Sequence, residues 1–311
     1  MPLYLSEADV EKLLTAADAL DAVEESFRRL ARGGVHNRPR ERLPLERGQF
    51  AVMSCVDREL GFAGLKTYAW LAPAGTPFLV VLFSLERARV EAVIEADRLG
   101  QLRTGAASGV AAKHLARTGA ASLGVIGCGW QAESQVKSIR IAVPSIEHVF
   151  AYCRNEERLA RFCAANDCAP AESPQEAGQQ DVVVTATTSK DPVLRGEWLH
   201  EGVLVCAVGA NDPSARELDN AVLERATFVC CDSREQARRE SGDLIEPVER
   251  GVLDWLEVHE LQDVVAGEVQ GRSGDADVVV FKSNGIAAWD IAVGARVVEL
   301  ARDHGVGREL G

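Results

Sequence analysis

The chain has 311 residues, 47% of them apolar and 26% charged, which predicts two domains with cores of their own and excludes a disordered or fibrous chain. With 34 Lys and Arg against 47 Asp and Glu, the net charge of −13 repels polyphosphate and excludes nucleic acid as an expected partner. The N-terminal MPLYLSEADVEKLL lacks a basic n-region and an apolar h-region, and no run of 18 apolar residues occurs, so the expectation is a cytoplasmic protein with no membrane partner.

In chain order, Ser6 with Asp9 and Thr15 with Asp18 each place a hydroxyl three residues before a carboxylate, an Asp form of the capping box that predicts two helix starts. The second helix carries Leu20, Val23, Phe27 and Leu30 on one face and stops at Gly33-Gly34. Arg38, Arg40, Arg42 and Arg47, in and around NRPRERLPL, read as a basic loop. From 50 to 94 the runs FAVMSCV, FAGLKTYAW, FLVVLFSL and RVEAVI predict a β-rich segment. A helix is then expected from about Thr104, in RTGAASGVAAKHLAR, whose small residues let a backbone or a ligand approach.

After residue 120 short apolar strands (SLGVI, HVFAYC, DVVVT, VLVCAV, TFVCC, DVVVF) are interleaved with helices such as QAESQVKSIRIA and EERLARFCAAN, which argues a parallel sheet covered by helices on both faces. The fold class expected is α/β. Ala132, Val136, Ile139 and Val143 mark the buried side of the first of these helices, and Pro144 ends it. Eight cysteines without a CxxC pair read as buried thiols, and six histidines without HExxH give no metal site.

Gly127, Gly129 and Ala132 form GxGxxA between a strand and a helix, the setting of a dinucleotide fingerprint. Gly127 permits the turn, Gly129 lets a pyrophosphate approach, and Ala132 lets the helix pack on the sheet. The N–H groups of the first turn, at Trp130 and Gln131, would face the phosphates. The alternative is a plain tight βα turn. At the end of the next strand Arg154 and Asn155 stand where an acidic residue would take the ribose of NAD, which favours NADP(H) over NAD(H), although Glu156 and Glu157 can bend back to a ribose.

Two cations do not fit their surroundings. Arg103 just before Thr104, as a cation at a helix N-cap, predicts an anion site; the alternative is a surface arginine paired with Asp97 or another acid. Lys66 lies inside an apolar strand, where the alternative is a lysine pointing outward on the opposite face. Asp232, at the end of a strand, reads either as a ligand-side carboxylate or as the N-cap of a helix from Arg234 to Arg239.

These residues sit in seven ordered motifs: AGLK, LRTGAASGVAAKHLA, GCGWQA, PVLRGEWLHEG, AVGANDPSARELD, CDSREQARRESGD and FKSNGIAAWD. Over nearly its whole length the chain resembles the ornithine cyclodeaminase/μ-crystallin family. The resemblance implies a Rossmann NAD(P)-binding domain, 116–285, inserted into a substrate-binding and dimerisation domain, 1–115 plus 286–311. It implies a carboxylate clamp at Lys66 and Arg103 with Arg40 as a third member, and nucleotide contacts at Thr104, Thr187, Val208, Gly209, Ser283 and Asn284 beside the fingerprint residues. One departure stands out. The aspartate that family members with cyclodeaminase or alanine dehydrogenase activity carry after the GA or GG is Asn211 here, with Asp212 next, and Asn211 cannot act as a base.

The expected function is therefore a homodimeric NAD(P)H-dependent oxidoreductase of a small imino or amino acid, with Asn211 among the substrate-binding residues. Lys66 and Arg103 carry catalysis, and a proton from Lys66 would require a pKa lowered by Arg103. The alternatives are a cyclodeaminase-type lyase with recycled NAD and a non-catalytic NADP-dependent binding protein. Loops such as WLAPAGTPF are expected to wall the substrate pocket.

Overall fold

Ser6 and Thr15 each accept a hydrogen bond from the backbone N–H three residues on, and Asp9 and Asp18 close both capping boxes. In this computed structural model, which describes residues 1–71 and 76–311, these caps start α1 (Glu7–Leu13) and α2 (Ala16–Ala31), after a short strand β1 (Leu3–Leu5). The middle of WLAPAGTPF, residues 72–75, lies outside the described residues. Four antiparallel partners follow in order: β2 (Val35–Leu45), β3 (Gly48–Asp57), β4 (Phe62–Leu71) and β5 (Phe78–Ser84), with β6 (Arg89–Glu95) antiparallel to β5.

The segment expected to be a basic loop is thus mostly β2, a correction with a physical cause. Pro39 and Pro44 remove ladder donors and disguise a strand, yet both are tolerated because β2 lies at the sheet edge, and the register slips between Arg38 and Glu41. This bulge breaks the in-out alternation, so that Pro39 and Arg40 are both buried. The next helix, α3, spans Asp97–Leu115 and does not begin at Thr104. Its N-terminus is capped from a distance: Glu7 of α1 accepts from the backbone N–H of Asp97 and, at 3.0 Å, of Arg98. Arg103 therefore lies well inside a helix, and the N-cap argument made for it does not hold.

The chain then builds a second unit, Thr104–Asn284. Its strands are β7 (Ser122–Ile126), β8 (His148–Tyr152), β9 (Ala169–Pro170), β10 (Val182–Thr185), β11 (Leu204–Ala207), β12 (Phe228–Cys231), β13 (Val258–Glu260) and β14 (Val279–Lys282). Between them run α4 (Trp130–Ala142), α5 (Glu156–Asn166), α6 (Pro174–Gly178), α7 (Asn220–Arg225), α8 (Arg234–Glu240), α9 (Gly242–Glu249) and α10 (Leu261–Val265). The sheet is wholly parallel, in the order β13-β12-β14-β11-β10-β7-β8-β9. Four of its strands, β10, β11, β12 and β14, have nearly every residue buried, as a sheet covered on both faces requires. The order reverses at β7, whose neighbours are β8 on one side and β10 on the other; its carboxyl end is the topological switch point.

The last elements, α11 (Ala287–His304) and β15 (Arg308–Glu309), belong with residues 1–103 in the other unit, Met1–Arg103 with Gly285–Gly311. The first division falls within α3, where the expectation placed it at that helix's end. The seven-stranded sheet of this unit runs β15-β1-β6-β5-β4-β3-β2, and α11 packs on β3, β4 and β5. Gly64 allows this approach, because a Cβ there would stand 2.5 Å from Ile291 Cδ1. Val80, Leu82, Ile94 and Phe27 are fully buried around α11, each contributing about 1.5–3 kcal/mol.

Candidate active site

Lys66 alternates with Leu65 and Thr67 along β4, and the pleat turns it to the α11 side, opposite Met53 on β3 and Val80 on β5. It is 3% exposed, so the outward-facing alternative does not hold. Its Nζ donates to Asp290 Oδ1 at 3.0 Å and lies 5.1 Å from the centre of the Phe78 ring. Asp290 sits in the first turn of α11, where the helix dipole favours a negative charge.

Arg103 reaches the same atom, its Nε donating to Asp290 Oδ1 at 3.0 Å, and its guanidinium lies 5.8 Å from the Trp289 ring. Its partner is thus another acid than Asp97, and at 7% exposure Arg103 is not a surface arginine. Arg103 Nη1 is buried and, among the described residues, makes no hydrogen bond. Arg40, turned inward by the bulge of β2, donates from Nη2 to the Gly285 carbonyl at 3.4 Å and from Nε towards Met53 Sδ at 3.4 Å. Two cations thus share one carboxylate, and the charge of Arg40 is felt at Lys66. Burial, and secondarily Arg103 and Arg40, lower the Lys66 pKa to about 8 against the opposing pull of Asp290. The lowering expected from Arg103 is present, but desolvation outweighs it.

Asp290 had no role assigned from sequence. The signal was available in IAAWDIAVGA, a carboxylate in an otherwise apolar helix, the same kind of misfit that marks Lys66. Gly100, one turn before Arg103 on α3, also belongs to the cluster: a Cβ there would stand 2.9 Å from Lys66 Nζ.

In the second unit the remaining candidates gather at the carboxyl edge of the parallel sheet. Gly127, just past β7, has φ +113°, and a Cβ on it would meet the Ala186 carbonyl oxygen at 2.3 Å. Gly129 is the N-cap of α4, and a Cβ there would meet nothing within 4 Å. This leaves a bare helix N-terminus with open space before it, a shape that fits a pyrophosphate. Trp130 and Gln131 form the first turn, and Ala132 is fully buried against the sheet. Past β8, Arg154 is exposed, while Asn155 caps α5 by accepting from Arg158 N at 2.8 Å. That cap occupies the amide oxygen and leaves Nδ2 as the group for an anion. Thr104 lies buried in α3.

Thr187 and Gly209, on the loops after β10 and β11, are joined by Glu217, which sequence reasoning did not single out. One of its oxygens accepts from Thr187 N and Oγ1, both at 2.7 Å, and the other from Thr185 Oγ1 at 2.9 Å and Gly209 N at 2.6 Å. Burial raises the Glu217 pKa above its ordinary value. Asp243 Oδ1 accepts from Glu217 N at 2.7 Å, and its Oδ2 stands 3.1 Å from Lys282 Nζ, which donates to the Ala210 carbonyl at 2.6 Å. Val208 is held by its N–H on the Thr185 carbonyl at 2.9 Å.

Asp232 does not cap α8, because Ser233 does. Its Oδ2 instead accepts from Ser283 Oγ at 3.1 Å and Asn284 N at 2.7 Å, fixing the strand end that carries both candidates. Asn211 and Asp212 are exposed, and Asp212 Oδ1 accepts from Ser214 N and Oγ in its own turn. All eight cysteines are free and six are buried. Among the described residues no group of three His, Cys, Asp or Glu is placed to hold a metal, and no helix is long and apolar enough to cross a membrane.

A family model described as ornithine cyclodeaminase/mu-crystallin family matches residues 2–305. Alanine dehydrogenase of Archaeoglobus fulgidus is 36% identical over 319 residues, covering 99% of this chain and 98% of that protein. The structure of Thermococcus litoralis Δ1-pyrroline-2-carboxylate reductase in complex with NADH and L-proline is similar with a TM-score of 0.93 at 30% identity, covering 99% of this chain and 100% of that one. An archaeal alanine dehydrogenase dimer with bound NAD gives 0.93 at 34% identity, covering 100% and 99%. The glycine turn at the switch point, the buried cations and these likenesses agree: the chain belongs to the ornithine cyclodeaminase/mu-crystallin family.

Proposed function

We propose that this chain is a nicotinamide-dependent oxidoreductase acting on the C–N bond of a small imino or amino acid. The observation that carries the reading is the buried group of Arg40, Lys66 and Arg103, two of which share the Asp290 carboxylate, with Arg103 Nη1 lacking a hydrogen bond among the described residues. Such a cluster has an excess of positive charge and an unmet charged donor, and a substrate carboxylate supplies both the charge and the acceptor. When bound, the reduced nicotinamide supplies a hydride to the substrate Cα. Arg103 and Arg40 hold the carboxylate and so fix where Cα lies, while Lys66 gives a proton to the imine nitrogen and takes it back in the amino-acid-oxidising direction. Asn211, exposed on the loop after β11, has an amide that can donate to or accept from a substrate.

The test is a panel of pyrroline-2-carboxylate, piperideine-2-carboxylate and pyruvate with ammonia, each with NADPH or NADH. Loss of one reduced nicotinamide per product formed supports the reading. Proline and ammonia from ornithine without net cofactor consumption would sink it in favour of a lyase, and nucleotide binding with no turnover would favour a binding protein.

For the cofactor, the exposed Arg154 two residues past β8 supports NADP(H), since its guanidinium can pair a 2′-phosphate in two-pronged fashion. The similar structures carry NADH and NAD, which makes the preference a sharp question. Arg154→Ala should weaken NADPH binding about tenfold, or about 1.4 kcal/mol, and leave NADH unchanged. Equal affinity for both nucleotides in the unaltered chain would remove Arg154 from the site.

A homodimer is the assembly we infer. The face of the seven-stranded sheet turned away from α11 carries Val52, Val56, Ala63, Leu65 and Phe83, the last 39% exposed, and an apolar face of this kind favours burial against a second copy. Light scattering that gives the mass of one chain would contradict it.

A further inference from the structure

We propose that Asp290 is a positioning residue of the reaction: its buried carboxylate, 3.0 Å from both Lys66 Nζ and Arg103 Nε, aims the two cations and keeps on Lys66 the proton that imine reduction consumes. The inference rests on the oxidoreductase reading above and deepens it. Nothing in that reading requires a carboxylate in a site built for one, since a fixed anion competes with the substrate's own. Its presence is explained by what the cations would do without it.

Lys66 faces charged or titratable groups from every element packed on it. Arg40 comes from β2, Cys55 from β3, Tyr68 from its own β4, Arg103 from α3 and Asp290 from α11. Cys55, its thiol pushed up to about 12 by burial, is neutral throughout the working range. Two arginines that never lose their charge therefore oppose the Lys66 proton, and Asp290 is the group that favours it. Arg40, Arg103 and Asp290 are all buried, as Lys66 is, where interactions between charges are strongest.

The chemistry needs that balance. A bound reduced nicotinamide would supply the hydride for the new C–H bond at Cα, and the π pair of the C=N bond would move onto nitrogen. Nitrogen forms an N–H bond with the proton leaving Lys66 Nζ, and the lysine ends as a neutral amine that solvent reprotonates. A Lys66 that had already lost its proton in the free protein could not perform this step. Asp290 Oδ1 takes one Lys66 hydrogen and leaves the others for the substrate nitrogen. It holds Arg103 by Nε, and Nη1, unbonded among the described residues, is left for the carboxylate. One atom thus sets the direction of the proton donor and of the anchor together.

Asp290→Asn keeps the shape and the accepting oxygen but removes the charge. The full chain labelled at lysine Cε with carbon-13, with the Lys66 resonance identified by its loss in Lys66→Arg, reads the Lys66 titration without any turnover. Its midpoint should fall by about one pH unit or more in Asp290→Asn, and the alkaline limb of kcat/KM for imine reduction should move down with it. Asp290→Glu should keep the midpoint near the unaltered value while lowering kcat through displaced geometry. An unmoved midpoint in Asp290→Asn, or an equal fall in the Glu and Asn variants, overturns the proposal. Should Asp290→Asn not fold, Arg103→Met, which leaves Asp290 to Lys66 alone, must raise the midpoint; one that stays or falls overturns it equally. If the unaltered chain reduces no imino acid of the panel, the oxidoreductase reading fails, and the titration still judges the role of Asp290.

Discussion

Each unit buries a lysine beside an aspartate, and the two pairs do opposite things. Lys282 in the parallel sheet is fully buried, stands 3.1 Å from Asp243, and spends its hydrogens on the Ala210 carbonyl at 2.6 Å and the Ala207 carbonyl at 3.4 Å. Lys66 in the antiparallel sheet shares its aspartate with Arg103 and, among the described residues, donates one hydrogen bond. A lysine whose donors are all met by fixed acceptors is a strut. One whose donors are held in reserve, in a crowd of cations, is available for chemistry. Burial and an ion pair alone would have ranked the two together; the count of unmet hydrogens separates them.

Substitution by methionine is the strongest way to break this contrast. Lys66→Met should cut imine reduction by about 10²–10⁴-fold and leave nucleotide affinity unchanged, as measured by kcat/KM and fluorescence titration. It should not lower stability. The Lys66 pKa is depressed from 10.5 to about 8, so its contribution to stability is present above 10.5 and lost as pH falls through 8. At pH 7 the protonated side chain is penalised, and the denaturation midpoint of the unaltered chain should rise between pH 8 and 10.5 while that of Lys66→Met does not. Lys282→Met should do the reverse, costing about 3–5 kcal/mol by leaving Asp243 buried without its partner. A large loss of stability in Lys66→Met, or none in Lys282→Met, would dissolve the distinction. The smallest expected effect lies one step along the same network. Glu217→Gln turns an amide donor towards groups that are themselves donors, and should weaken nucleotide binding about tenfold with KM for the imino acid unchanged.

How much of this was legible in the sequence depended on whether the signal was local. The alternation of the parallel sheet and the GxGxxA turn are periodic or contiguous, and both stand where they were expected. The start of α3 was missed because its cap, Glu7, lies ninety residues away in the chain. β2 was missed because Pro39 and Pro44 are strand breakers everywhere except at an edge or a bulge, and only the folded sheet shows that β2 is at one. Arg103 was singled out for a wrong reason, a helix N-terminus that is elsewhere, and what makes it unusual is burial beside Asp290. Asp290 and Lys282 were readable as charges inside apolar runs, whereas Glu217 in SARELDN and Asp243 in ESGDLIE stand among polar residues, and the partners of all four are set by tertiary structure. Sequence marks such a residue as odd without saying what answers it.

Gly100 brings a conflict between two kinds of selection to a single position. It stands in the first turn of a nineteen-residue helix, where alanine would be favoured by up to about 1 kcal/mol. Any search for a more heat-resistant form of this protein, in the laboratory or in a hot lineage, is therefore drawn to replace it. The added methyl would arrive 2.9 Å from the Lys66 ammonium and push it off its hydrogen bond. The flexible side chain can give way, so the altered protein would fold and resist heat while its proton donor pointed elsewhere. A chain under pressure for durability alone would drift through this residue first, and would become a sturdier protein with a quieter site.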